Sequence, residues 1–190
     1  MALKLNTKRI LANSFCELLE EKSIDDISVQ NIVDYCGASR TTFYNHFSDK
    51  YELMLWIYEQ DMKNLVPEKE VCTWNETATH MLEYFQEKRS FYLNISQYVG
   101  QNSIQEGIAN RMAANTEESL KKKLYVRKLP SEMKYAIEVY SRNVTNSIFQ
   151  WLKNPATYSK EEVLRSISAC MPVILAEYFY ESKYDKRKVV

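Results

Sequence analysis

The sequence predicts an all-α protein, and three observations carry that expectation. Helix breakers are scarce, with only 3 glycines and 4 prolines in 190 residues. Apolar residues recur at spacings of three and four, the period of one face of an α-helix. Serine or threonine stands at the start of most of these periodic runs, where a side-chain oxygen can cap the first free amides.

Taken in chain order, Asn6 or Thr7 is expected to cap a first helix with Ile10, Leu11, Phe15, Leu18 and Leu19 on one stripe, ending at Lys22-Ser23. Ser28 caps a short second helix that turns Val29, Ile32, Val33 and Cys36 inward, and Gly37 ends it in the left-handed conformation that a tight exit requires. Ser39 caps a third helix almost at once, burying Phe43 and Phe47. A fourth begins near Ser48, with Asp49 and Glu52 in the first turn where the helix dipole favours anions, and runs to about Leu65 before Pro67. Thr73 caps a fifth through Trp74, Met81, Leu82 and Phe85, and the stretch from Phe91 to Tyr125 reads as two helices broken near Gly100.

In the last third, Ser131 is expected to cap a helix carrying Met133, Ile137, Tyr140, Val144, Ile148 and Trp151, stopped by Asn154-Pro155. Ser159 and Glu162 form a capping box for a final helix with two apolar stripes, one through Val163, Ile167, Cys170, Ile174 and Tyr178, the other through Leu164, Met171, Leu175 and Phe179. Pro172 lies inside it and is expected to kink it. The charged tail from Lys183 to Val190 is expected to fray.

Composition narrows the function. Hydrophobic residues at 45% and charged residues at 26% suit a globular domain, and no apolar run is long enough for a membrane span. Residues Met1 to Asn6 lack the apolar core of a secretory signal, so a cytoplasmic location is expected. Cys16, Cys36, Cys72 and Cys170 are scattered, with no pairing that suggests a metal site, and are expected to be reduced and mostly buried. His80 with Cys72 or Cys170 lacks any orienting motif, and no glycine-rich phosphate loop is present, so neither catalysis nor a cofactor is expected.

Lysine plus arginine equals aspartate plus glutamate at 25 each. Any nucleic-acid contact must therefore come from a local patch, such as Lys4, Lys8 and Arg9, or Arg40 and Lys50. Two short capped helices around a glycine turn, from Ser28 to Phe47, are the arrangement in which one helix braces a second in the DNA major groove. On the second helix Phe43 and Phe47 set the inward direction, which puts Thr41, Thr42 and Asn45 outward, Tyr44 and His46 on the flanks, and Arg40 nearer the buried side with a stem long enough to reach round.

The run Ile32-Val33, Cys36-Gly37-Ala38-Ser39, Thr42-Phe43-Tyr44-Asn45-His46-Phe47, then Lys50 and Leu53, resembles the TetR family of bacterial regulators. From Arg40 to Ile57, with Tyr51-Glu52-Leu53 and Trp56-Ile57 after the motif, the chain also resembles a subgroup that includes a regulator of dihydroxyacetone kinase genes. The resemblance implies a helix-turn-helix DNA-binding domain at residues 1–50 and a helical effector-binding and dimerisation domain at 51–190. It implies that Ser28, Tyr44 and Lys50 grip phosphates, that Gln30, Arg40, Thr41 and Thr42 reach bases or adjacent phosphates, and that His46 supports the grip, with Ser39 and Asn45 in the same interface. Repression is the expected sign, exerted as a homodimer on double-stranded DNA with a pseudo-palindromic operator. The final two helices would dimerise, and an effector would act through Leu53, Trp56, Ile57 and Tyr58 of the fourth helix. The effector is left open between a small molecule in a pocket among the aromatics of the second domain and a protein partner.

Overall fold

A computed structural model describes residues 2–65, 73–98 and 103–180, with side chains from residue 6 onward. Ten α-helices and no strand occur among the described residues. The expected features at Lys4, Pro67, Cys72 and Gly100 and in the tail from Lys183 lie outside these residues or their described side chains.

Helix α1 spans Ala2–Glu21 and is followed by a single 3-10 turn, Ile24–Asp26. It begins before Asn6 and Thr7, so neither is its cap. Leu11, Phe15, Leu18 and Leu19 are buried as expected, but Ile10 is 45% exposed. The buried stripe drifts round the helix past Leu11 to Phe15, and Ile10 falls beside it.

Helix α2, Val29–Tyr35, opens on a capping box in which Ser28 Oγ accepts from the Asn31 amide and Asn31 Oδ1 accepts from the Ser28 amide. Gly37 leaves it at φ +66, the conformation expected of a glycine exit. Ser39 Oγ then accepts from the Thr42 amide at 3.0 Å and starts α3, Arg40–Tyr44. Helix α4, Lys50–Leu65, is tied at its start by Asp49 Oδ1, which accepts from the Glu52 amide, and by Glu52 Oε2, which accepts from the Ser48 amide.

Thr73 and Glu76 form a capping box for α5, Trp74–Glu87, and α6 follows at Arg89–Ile95. Helix α7, Ile104–Leu124, ends on Tyr125 at φ 56, and a short connection folds α8, Ser131–Lys153, back along it. Pro130, not Ser131, is the N-cap residue of α8, because proline's fixed φ sets the chain direction one residue earlier. The expected stripe from Met133 to Trp151 is buried throughout.

The final segment is two helices rather than one kinked helix: α9, Lys160–Ala169, opens on the Ser159/Glu162 capping box, and α10 spans Val173–Phe179 with Pro172 as its N-cap residue. Proline at a helix start loses nothing, whereas inside a helix it removes a hydrogen bond, so the chain breaks there. The break swings Cys170 and Ile174 outward, and both are exposed although they were expected on the buried stripe. Of the three described cysteines Cys16 and Cys36 are half-buried, so none is in the core, and all three are unpaired thiols.

The buried residues form one continuous apolar cluster from Leu11 to Leu175. Helix α4 runs through it, packing against α1 on one side and α5 and α7 on the other, while α8 touches α5, α6, α7, α9 and α10. No helix among the described residues is long and apolar enough to cross a membrane.

Candidate nucleic-acid interface

Helix α3 ends at Tyr44, short of the expected run to Phe47, and is held from its inner side by Phe43 and by Phe47 three residues past its end. Phe43 and Phe47 are buried with ring centroids 5.8 Å apart, and Phe47 packs edge-on against Trp56 of α4 at 5.8 Å. With that face fixed, Arg40, Thr41, Tyr44 and Asn45 are all exposed, and Gln30 of α2 is exposed as well. The Arg40 guanidinium lies 5.9 Å from the Tyr44 ring centre, a cation–π distance that brings an arginine and a tyrosine hydroxyl to one surface.

Two placements differ from the wheel. Arg40 is fully outward instead of near the buried side, because in a five-residue helix the first residue is set by its cap and not by the stripe. Thr42 is half-buried, its Oγ1 2.9 Å from Ser39 Oγ, so its hydroxyl serves the helix start. Ser28 and Ser39 likewise spend their side-chain oxygens on caps while staying exposed. Gln30 Nε2 donates to Asp34 Oδ1 at 2.6 Å, and His46 is half-buried at the exit of α3.

Lys50 is occupied within the fold. Its Nζ donates to the Ile24 carbonyl at 2.8 Å and the Ile27 carbonyl at 2.5 Å, and lies 5.6 Å from the Tyr98 ring centre. Burial lowers its pKa from the usual lysine value, with Asp25 opposing. An ammonium has three protons, so one remains for a further acceptor. Lys8 sits 4.8 Å above the Phe47 ring, and Arg9 faces a cleft beside α4, so both N-terminal cations are turned toward the protein's own side chains.

Asn94 of α6 is a residue that sequence reasoning missed. Its Nδ2 donates to the Leu19 and Lys22 carbonyls at the end of α1, and its Oδ1 accepts from the Ile24 amide at 2.9 Å. One side chain thereby satisfies three backbone groups of a helix end some seventy residues away. No local pattern announces such a contact. Gly107 was also passed over: a Cβ there would collide with the Tyr51 hydroxyl and Leu55, so it permits α7 to approach α4 closely.

Phe85 of α5, Tyr92 of α6 and Tyr140, Phe149 and Trp151 of α8 are buried in the core. Phe85 and Tyr92 lie 4.3 Å apart, and Phe149 stands 6.1 and 6.2 Å from them. Tyr140 donates its hydroxyl to the Ile167 carbonyl at 2.7 Å. Among the described residues no cluster of three or more His, Cys, Asp or Glu side chains could hold a metal ion.

Comparison with known proteins places this geometry. Residues 16–57 match the profile of bacterial regulatory proteins of the tetR family, and residues 72–172 match a transcriptional regulator C-terminal region of the same family. An HTH-type dhaKLM operon transcriptional activator, DhaS, from Lactococcus lactis is 31% identical over 96 residues, which are 50% of this chain and 51% of that protein. The match thus spans about half the length of that relative. A solved structure of a dihydroxyacetone kinase operon activator DhaS covers 93% of this chain and 98% of its own at 20% identity, with a TM-score of 0.57. A TetR transcriptional regulator from Streptococcus agalactiae covers 88% of this chain and 94% of its own at 18% identity, with a TM-score of 0.61. At these identities the two structures speak for the fold. The C-terminal profile alone spans more than half of the sequence, with the other profile matching ahead of it, and the chain belongs to the tetR family of bacterial transcriptional regulators.

Proposed function

We propose that the chain binds a pseudo-palindromic DNA operator in the cytoplasm as a homodimer, with residues 1–50 on the DNA and residues 51–190 dimerising and receiving an effector signal. The observation that carries this reading is the outer face of α3, where Arg40, Thr41, Tyr44 and Asn45 are all exposed and polar while Phe43 and Phe47 lock the other face. In this reading Arg40, with Gln30, Thr41 and Thr42, reaches bases or adjacent phosphates, Ser28, Tyr44 and Lys50 hold phosphates with His46 in support, and Ser39 and Asn45 lie in the same interface.

Dimerisation is supported by apolar side chains left uncovered on the last helices: Tyr135 and Val139 of α8, and Val173 and Ile174 of α10, are 38% to 89% exposed. Doubling matters for a chain of zero net charge, because one five-residue helix offers few contacts and linked half-sites multiply affinity. Selection of a randomised DNA pool on the purified protein tests the reading. An inverted repeat with half-site centres one helical turn or a small multiple apart is expected. Enrichment of unrepeated sequences, or none, would overturn it.

For the sign of regulation, repression by effector-released binding is the first reading. A second reading, a DNA-bound activator or adaptor whose second domain recognises a protein, is favoured by the activator name of the Lactococcus relative and by Tyr125 and Val126, exposed at the α7–α8 turn. A reporter gene behind the selected operator distinguishes them: expression falls in the presence of the protein under the first and rises under the second.

A further inference from the structure

A cleft of about 610 Å³ opens between α1, α4 and the α5–α6 corner. Cys16 and Leu19 of α1, Trp56 and Asp61 of α4, Tyr84 of α5 and Phe91 of α6 line it. Its size falls within the range of roughly 300 to 1,000 Å³ that holds small organic ligands. The helix-turn-helix side contributes one wall and the longer helical portion the others.

Asp61 is the polar group that gives the cleft a preference. The Tyr84 hydroxyl donates to its Oδ2, and among the described residues no lysine or arginine nitrogen comes within ion-pair distance of it. Burial raises its pKa from the usual carboxylate value, opposed by the Tyr84 hydrogen bond and by the charge of Lys88. The carboxylate thus has a hydrogen-bond donor in Tyr84 but no paired cation among the described residues. Cys16 adds no anion: burial pushes its thiol up to about 11, so it stays protonated and behaves as apolar wall. Around the opening Glu20 and Glu87 stand with Arg9 and Lys88, so that with Asp61 the carboxylates outnumber the cations.

We propose that this cleft binds an amphipathic organic cation, its ammonium group on Asp61 and its apolar body between Leu19, Trp56 and Phe91. An ammonium adds charge-assisted hydrogen bonds to the one that Tyr84 gives the carboxylate. A ligand carrying a carboxylate would set like charges against each other at Asp61, and a neutral one would gain no charge-assisted bond there. Because α1 forms one wall and α4, α5 and α6 the others, an occupant bears on the angle between α1 and α4, and through Trp56 on Phe47 at the end of α3. The binding step stands apart from the operator reading, which only its consequence uses.

Calorimetric titration with 4-phenylbutylammonium, against 4-phenylbutanol and 4-phenylbutyrate as neutral and anionic matches, tests the assignment. The ammonium is expected to bind saturably, the alcohol at least ten-fold more weakly, and the carboxylate not at all. Asp61→Asn keeps the shape and an acceptor for Tyr84, so it is expected to melt at or above the wild-type temperature. It should lose at least ten-fold in ammonium affinity while leaving the alcohol unchanged. Equal affinity for the three probes, ammonium binding indifferent to Asp61→Asn, or no binding of the ammonium to the wild-type protein would overturn the proposal. Gel shifts of Asp61→Asn on the selected operator run alongside, and retained DNA binding there separates failure of the cation site from failure of the operator reading.

Discussion

Replacing Arg40 by alanine removes a guanidinium that stands free on the outer face of α3 beside Tyr44, while the cap at Ser39 and the buried Phe43 remain. Base preference should relax at one operator position at a cost of about 1 to 3 kcal/mol. Competition gel shifts over single-base operator variants check this, and an equal loss on every sequence would assign Arg40 to phosphate. Lys50→Ala has a different signature because the ammonium already holds the Ile24 and Ile27 carbonyls. Losing hydrogen bonds from a charged donor costs about 1.5 to 3 kcal/mol, so the denaturation midpoint should drop even without DNA. If the third proton meets a phosphate, the slope of log affinity against log salt should also fall by about one. A lowered midpoint with an unchanged slope would make Lys50 purely a brace of the α1–α2 junction. These two residues also mark the limit of sequence reading at this scale. The motif identifies Arg40 and Lys50, but the cap that turns Arg40 outward is geometry, and the carbonyls that engage Lys50 lie more than twenty residues back.

Helix starts were legible where the signal is local. Ser28, Ser39, Thr73 and Ser159 each cap the helix expected of them, since the oxygen and the amide it meets are three residues apart. Prolines displaced two other expectations, at Ser131 and at the break before α10, because a fixed φ outranks side-chain capping. What stayed hidden was the meeting of distant elements. Gly107 is the example for which an experiment is simplest. Alanine there gains about 1 kcal/mol of helix propensity but must push aside the Tyr51 ring, which stacks on Tyr98 at 6.4 Å, and Leu55, which is buried. Overpacking of this kind costs about 1 to 3 kcal/mol, so Gly107→Ala should lower stability on balance. The nearest atom is the Tyr51 hydroxyl, and the loss should therefore shrink when Gly107→Ala is made in a Tyr51→Phe background. Chemical denaturation of the four proteins of that cycle measures both effects, and equal losses in the two backgrounds would place the collision at Leu55 or the Tyr51 ring carbons instead of the hydroxyl.

For the molecule as a whole, zero net charge and a five-residue α3 mean that, on the proposed operator reading, affinity should depend on pairing two copies. Val173, 89% exposed beside Ile174, offers the least ambiguous disruption, since a charge there disturbs nothing buried within one chain. Val173→Glu should leave the melting curve of the monomer nearly unchanged, shift the sedimentation profile from dimer to monomer, and lower operator affinity far more than half-site affinity. A dimer that survives the substitution would move the interface away from α10. The all-α class and the helix-turn-helix were readable from periodicity and one motif. The arrangement of α5 to α10 was not, because packing partners are chosen by long-range fit: Phe85, Tyr92 and Phe149 meet in the core, while Tyr84 and Phe91 line the cleft against α1 and α4.

The Asn94 side chain ties the end of α1 to α6 through the Leu19 and Lys22 carbonyls and the Ile24 amide. The Ile24 proton is therefore shielded from solvent deuterium only while α6 is docked, and its exchange rate is a clock for the contact between the two parts of the chain. Whatever loosens α6 should speed that one amide before the helices on either side begin to melt. A signal arriving at the longer part of the molecule would then be visible at the edge of the DNA-reading part in a protein with no DNA present.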